Sequence, residues 1–310
     1  MVTVLLFPGQ GAQTVGMTAD LAERFPAAQA TLNRIDAALQ APLSRLMWHG
    51  PEDELTLTYN AQPAILAHSS AVLSVVQQRL GHVVAAAGHS LGEYSAWVAT
   101  GALDAADAAK LVRRRGELMF QAGQQRPGAM AVVLGLDTIA VQAACREAQD
   151  GGVGAVVAAN LNAPDQTVIS GDRAAVTRAG ELCQVAGAKR VLALKVSGAF
   201  HSPLMEPAVA GLREALSAVP FGEPAFPVVA NATGDVVHAR PEAIELLAAQ
   251  LTAPVRWVAS MRRLAELYPG ARWLELGPGA VLTGLLKRIV PDAQCTALGT
   301  AAQLDAFLAA

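Results

Sequence analysis

The stretch that most constrains this chain is Gly88-His89-Ser90-Leu91-Gly92, set between the short apolar run 83–87 and the helical pattern of 93–99. Strand, Gly-x-Ser-x-Gly and helix, in that order, put the serine on a tight turn at the top of a sheet. Gly88 and Gly92 carry no side chain, so strand and helix close in around Ser90. Its hydroxyl then projects at the start of the next helix, where free backbone N–H groups and partial positive charge gather. The N–H of Leu91 is well placed there to receive an oxyanion. An ordinary glycine-rich turn would carry the same letters; the strand before it and the helix after it favour a nucleophile.

The pattern on either side decides which sheet that serine crowns. Val2–Phe7 reads as a buried, β-branched strand. Residues 8–13 form a loop whose two glycines suit either a close backbone approach or a plain connection. Helical patterns cover 17–40 and 60–80. Strands alternating with helices predict a mainly parallel sheet covered on both faces, an α/β-hydrolase-like large domain. From 129 the order becomes strand 129–134, helix 137–149, strand 153–160, strand 166–170, helix 172–186 and strand 190–195. That order is ferredoxin-like. It predicts a small domain over 127–196, inserted into a catalytic domain made of 1–126 and 197–310. Further on, 273–276 reads as a late strand, and Gly277-Pro278-Gly279 opens a helix through Arg288.

Composition narrows the classes of function. With 53% apolar and 16% charged residues, the 310-residue chain can bury a large core. A net charge of −3 without a long basic run argues against nucleic acid as a partner. No apolar run approaches the ~20 residues that span a bilayer, and with no basic region and too short an apolar core at the N-terminus a signal peptide is not expected. Cys145, Cys183 and Cys295 are odd in number, far apart in sequence and without C-x-x-C spacing, so neither a metal site nor a disulfide framework is expected. A reducing cytoplasm is the expected compartment.

Two further residues carry candidate chemistry. Asp104 caps a helix running to about 123, whose apolar stripe is Ala108, Leu111, Val112 and Met119. Arg115 falls on that stripe, whereas Arg113 and Arg114 point away from its centre. A buried arginine needs an anion; a structural carboxylate and a ligand serve equally well. Ser90 also needs a base. His49, His68, His82 and His238 lie in surface or helical settings without a motif, and His89 points away from its neighbour on the elbow. His201 sits where the chain returns from the small domain, in Ser197-Gly198-Ala199-Phe200-His201-Ser202-Pro203. A lone histidine is more often structural; a plausible elbow serine raises its claim. No acid declares itself as the partner of its other nitrogen, and a backbone carbonyl can fill that role.

These residues carry a family resemblance. Phe7-Pro8-Gly9-Gln10-Gly11, Gly88-His89-Ser90-Leu91-Gly92-Glu93-Tyr94, Arg115-Gly116-Glu117-Leu118-Met119, Gly128-Ala129-Met130-Ala131 and Asn160-Leu161-Asn162-Ala163-Pro164 resemble motifs of the malonyl-CoA:acyl carrier protein transacylases. Ile169-Ser170-Gly171, Phe200-His201-Ser202-Pro203-Leu204-Met205 and Gln250-Leu251-Thr252-Ala253-Pro254-Val255-Arg256-Trp257 continue in register across essentially the whole chain.

The resemblance implies a ping-pong malonyl transfer from malonyl-CoA to the phosphopantetheine thiol of acyl carrier protein, in fatty-acid or polyketide synthesis. Ser90 would be the nucleophile and His201 its base. Gln10 and Leu91 would supply the oxyanion hole, and Arg115 a bidentate partner for the malonyl carboxylate. Gln250 would shape the site and offer its carbonyl to His201. Asn160, Asn162 and His89 would stand at the pocket edge, and Phe200 would crowd out a branched acyl group. Gly198 departs from the histidine of many modular polyketide acyltransferases and bears only on sub-class. No cofactor or metal is expected, and a monomer is favoured. Alternative readings are a serine thioesterase or editing hydrolase of the same fold, a transferase of a malonate decarboxylase system, and a non-catalytic scaffold.

Overall fold

The computed structural model describes residues 2–310, whose strands form two sheets. The larger sheet contains β1 (Val2–Phe7), β2 (His82–Gly88), β7 (Val228–Val229), β8 (Val236–Val237), β9 (Arg272–Leu276) and β10 (Cys295–Leu298). Their order is β10-β9-β1-β2-β7-β8, parallel throughout except for the β7–β8 pair. β1 is buried on both faces, as a central parallel strand must be. Successive side chains therefore feed opposite cores. Leu5 and Phe7 join Ile65, Leu66 and Trp97 on one side, and Val4 and Leu6 join Trp257, Trp273 and Leu286 on the other. The alanines of β2 are divided in the same way, Ala86 to the first core and Ala85 and Ala87 to the second.

The smaller sheet contains β3 (Gly128–Leu134), β4 (Val156–Ala163), β5 (Gln166–Asp172) and β6 (Arg190–Ala193), in the antiparallel order β4-β5-β3-β6. Helices Thr138–Asp150 and Arg173–Val185 share a core with one face of it, through Val133, Val141, Ile169, Val176 and the cysteines Cys145 and Cys183. Those two thiols are neighbours in space although distant in sequence; they and Cys295 are free. On the opposite face Met130 and Val168 join the main core. Backbone bonds from Leu161 N to Val255 O (2.9 Å) and from Val255 N to Ala159 O (2.8 Å) tie β4 to the rest of the molecule.

Some boundaries differ from the sequence reading. β4 starts at Val156 rather than 153, because Gly152 and Gly154 take positive φ values (74° and 118°) and turn the chain first. β6 stops at Ala193. Helix Ala105–Gln125 begins as expected, with the Asp104 side chain accepting from Ala106 N at 2.8 Å. Its Gly116 lies against Tyr59, where an added Cβ would come within 2.5 Å of that residue's Cα. This close approach packs the helix onto Thr58–Val76 and carries Arg115 into the interior. No helix among the described residues is long and apolar enough to cross a membrane.

Candidate active site

The elbow exists because three glycines permit it. A Cβ on Gly88 would lie 1.9 Å from the Gly92 carbonyl, one on Gly92 2.1 Å from Phe7 O, and one on Gly9 2.3 Å from His89 O. The loop after β1, the end of β2 and helix Gly92–Ala99 thus meet at backbone distance. Ser90 sits at φ 52°, a left-handed conformation that disfavours side chains. Asn231, just beyond β7, holds it there. Its Oδ1 accepts from Ser90 N at 2.6 Å and its Nδ2 donates to Gly88 O at 2.7 Å.

His201 arrives on the segment that follows β6 and meets Ser90 with Nε2 at 2.7 Å from Oγ. Its Nδ1 lies 2.9 Å from the Gln250 carbonyl. A carbonyl only accepts, so Nδ1 carries the proton and Nε2 presents its lone pair to the serine hydroxyl. Burial, helped by the positive charge of Arg115, pushes the imidazole down to about 3. It is therefore neutral at physiological pH, the form that can take a proton.

Arg115 is 1% exposed and lies directly behind this pair. Its Nη1 donates to Gln62 Oε1 (2.7 Å) and its Nη2 to Gln250 Oε1 (2.8 Å) and Ser90 Oγ (3.2 Å). The guanidinium carbon stands 5.5 Å from the centre of the Tyr94 ring. Burial lowers its pKa, opposed by Tyr94 and Glu93. Among the described residues no carboxylate comes within ion-pair distance of Arg115, and its Nε is buried without an acceptor.

A cleft of about 850 Å³ opens above Ser90. The large sheet contributes Gln10, His89 and Ser90 to it, and the small sheet Met130, Asn160, Asn162 and Val168. Phe200 and His201 close one side. Among the described residues, the backbone N–H groups of Gln10 and Leu91 have no protein acceptor. His89 turns away from the serine, with Nε2 2.8 Å from Asn162 Oδ1 and its ring 5.4 Å from that of Trp257. Asn160 is buried on β4, bridged to Val255. The residues singled out from sequence thus converge on one cleft, apart from Arg115, Gln250 and Leu91, which lie beneath it.

Three buried residues escaped sequence reading. Gln62 supports Arg115, Asn231 supports Ser90, and Glu93 lies beneath both, accepting on Oε2 from Asn231 N (2.9 Å) and Gln250 Nε2 (2.7 Å). Gln62 had a signal: a lone polar residue in the apolar run 61–67. Asn231 also had one, standing at the C-terminal end of a parallel strand, where sites in α/β sheets gather. No group of three metal-ligating side chains occurs among the described residues.

A serine held at a strand-to-helix elbow against a neutral imidazole, with a buried guanidinium below, defines a serine acyl enzyme of mixed α/β architecture. Comparison with known proteins gives the family: residues 4–303 match the family described as "Acyl transferase domain", and the chain belongs to it. It is 44% identical to the malonyl CoA-acyl carrier protein transacylase of Escherichia coli (strain K12), over 98% of this chain and 97% of that one. Its identity to the Bacillus subtilis (strain 168) enzyme of the same name is 45%, over 92% and 89%. Among solved structures, an acyl carrier protein S-malonyltransferase from Vibrio cholerae superposes with a TM-score of 0.93 at 42% identity, covering 98% of this chain and 99% of that one. A malonyl-transacylase in complex with its type II PKS acyl-carrier protein superposes with a TM-score of 0.94 at 42% identity, covering 100% and 99%.

Proposed function

We propose that this chain transfers a malonyl group from malonyl-CoA to the phosphopantetheine thiol of acyl carrier protein, through a malonyl ester on Ser90. The observation that carries the reading is Arg115, a buried guanidinium 3.2 Å from the Ser90 hydroxyl, with no carboxylate at ion-pair distance among the described residues. A terminal carboxylate entering beside the acylated serine supplies the missing anion, and the planar fork suits it.

In the first half-reaction the Ser90 proton passes to His201 Nε2 as Oγ bonds to the thioester carbon. The oxyanion is received by the N–H groups of Gln10 and Leu91. Collapse breaks the C–S bond, and His201 returns its proton to the departing CoA sulfur. In the second half the carrier's thiol gives its proton to His201 and attacks the malonyl ester. Ser90 Oγ then leaves and regains the proton. The Gln250 carbonyl keeps His201 in the required tautomer without a carboxylate. Phe200 narrows the cleft against branched acyl groups, and Asn160, Asn162 and His89 line its edge.

The strand order β4-β5-β3-β6, with two helices on one face, supports a ferredoxin-like unit over 127–196. It is inserted in an α/β-hydrolase-like catalytic domain of 1–126 and 197–310. The carrier's arm enters between the two. Three free thiols suit a reducing cytoplasm. The chemistry uses side chains and backbone amides alone, with no cofactor.

Mass spectrometry of the protein with malonyl-CoA, with and without holo acyl carrier protein, tests the reading. The expected outcome is a malonyl adduct on Ser90 that moves to the carrier. Rapid release of free malonate without the carrier would make the chain a hydrolase instead.

A further inference from the structure

Glu93 is 1% exposed, yet nothing in the mechanism above uses it. Its Oε2 accepts from Gln250 Nε2 at 2.7 Å, and Gln250 Oε1 in turn accepts from Arg115 Nη2 at 2.8 Å. One amide thus separates a buried carboxyl group from a buried guanidinium. A carboxylate bonded directly to the guanidinium would occupy the fork that an acyl carboxylate needs. Set one amide back, it balances the charge while the fork carries only neutral partners, Gln62, Gln250 and Ser90.

We propose that Glu93 is the counter-charge of Arg115, held one amide away, and that its charge sets how strongly the pocket prefers an anionic acyl group. The inference rests on the reading of Arg115 as the partner of the malonyl carboxylate. With Glu93 ionised the empty pocket is neutral, and a malonyl carboxylate adds an excess negative charge. With Glu93 neutral the pocket is cationic, and the same carboxylate neutralises it. Acetyl brings no charge and senses neither state.

The groups facing Glu93 are Arg115 from Ala105–Gln125, Tyr94 on its own helix, and His89 and His201 above. Burial raises the Glu93 carboxyl to about 7, opposed by the amides of Asn231 and Gln250 and by Arg115. Burial also pushes Tyr94 upward, His89 downward and His201 down to about 3. Burial thus moves Glu93 towards neutral pH, whereas it moves Tyr94 and the two imidazoles away from it.

The test is the ratio of kcat/KM for malonyl-CoA to that for acetyl-CoA, measured with holo carrier from pH 6 to 8.5. The ratio cancels titration of the CoA phosphates and of the carrier. In the wild type it is expected to fall about tenfold as Glu93 ionises, the scale of one added charge at a buried site. In Glu93→Gln the amide oxygen keeps both acceptor bonds and the charge is gone. Its ratio should stay flat at the wild type's acid-side level. A wild-type ratio independent of pH overturns the proposal, even if the variant fails to fold. A Glu93→Gln ratio that keeps the wild-type slope, or collapses together with Tm, overturns it as well. Arg115→Ala separates the two readings. If it leaves the ratio unchanged, Arg115 does not bind the acyl carboxylate, and both readings fail. If it collapses the ratio while Glu93→Gln and pH leave it untouched, the counter-charge inference fails alone.

Discussion

Ser90 and His201, whose side chains meet at 2.7 Å, both have left-handed backbone conformations, with φ of 52° and 55°. For a residue with a side chain this conformation costs roughly 1–2 kcal/mol. Only Thr18 and Gln40 share it among the non-glycine described residues. Asn231 on the Ser90 N–H and Gln250 Nε2 on its carbonyl (3.1 Å) hold the serine in place. The pair is thus positioned by the surrounding structure, against local preference.

That strain reverses the usual order of two substitutions. Ser90→Ala and Ser90→Gly both remove the hydroxyl and should both abolish the malonyl adduct. Alanine normally stabilises relative to glycine. At a left-handed position glycine should be the more stable variant, by about 1 kcal/mol. Urea unfolding of the two proteins measures the difference, and an ordinary alanine advantage would mean that the elbow is unstrained.

His201→Ala should slow formation of the acyl enzyme by roughly 10²–10⁴-fold, the range of a lost general base. His89→Ala should act more weakly, because its Nε2 is engaged by Asn162. Rapid-quench acylation with malonyl-CoA distinguishes them. A silent His201→Ala beside a crippling His89→Ala would transfer the role.

Arg115→Ala should cripple transfer from malonyl-CoA and spare acetyl-CoA. A charge-assisted hydrogen bond to a buried group contributes about 1.5–3 kcal/mol. Two of them, discounted for non-additivity, give roughly 10²–10⁴-fold in the ratio of the two kcat/KM values. A structural ion pair would lower both activities alike, together with Tm.

His68 predicts an acid-sensitive fold. Its Nε2 donates to the Gly299 carbonyl at 2.8 Å, and burial lowers its pKa from 6.5 to about 4. Below pH 6.5 the unfolded chain binds a proton that the native chain refuses until about pH 4. Its contribution to stability is therefore lost as the pH falls through that window. Between pH 7 and 5 the wild type should lose about 2 kcal/mol more than His68→Gln. Urea titrations at both values check this, and equal losses would mean that His68 charges freely in the native state.

Much of the fold was legible because its informative segments are short and strongly patterned. β1 is a short run of β-branched and apolar residues, and the elbow is bracketed by a strand and a helix. β7 and β8 are two residues each, too brief to leave a period, and β10 is a partly exposed edge strand. In the site, Arg115 was legible because its own helix has a stripe on which it is the odd residue. Glu93, Asn231 and Gln62 owe their positions to bonds that join residues 53 to 157 apart in the chain. Local spacing carries no trace of such bonds. On the Arg115 question, carboxylate or ligand, the bearing observation is likewise three-dimensional: among the described residues no carboxylate comes within ion-pair distance of the guanidinium.

The group that orients His201 is the peptide oxygen of residue 250, and a peptide oxygen belongs to no particular amino acid. Substitution at 250 changes what faces Arg115 and Glu93, yet every replacement still offers a carbonyl to the imidazole. Alanine scanning would therefore not detect the Gln250 carbonyl on His201. The same division lets evolution revise the surroundings of Arg115 and Glu93 through one side chain while the carbonyl on His201 is inherited intact.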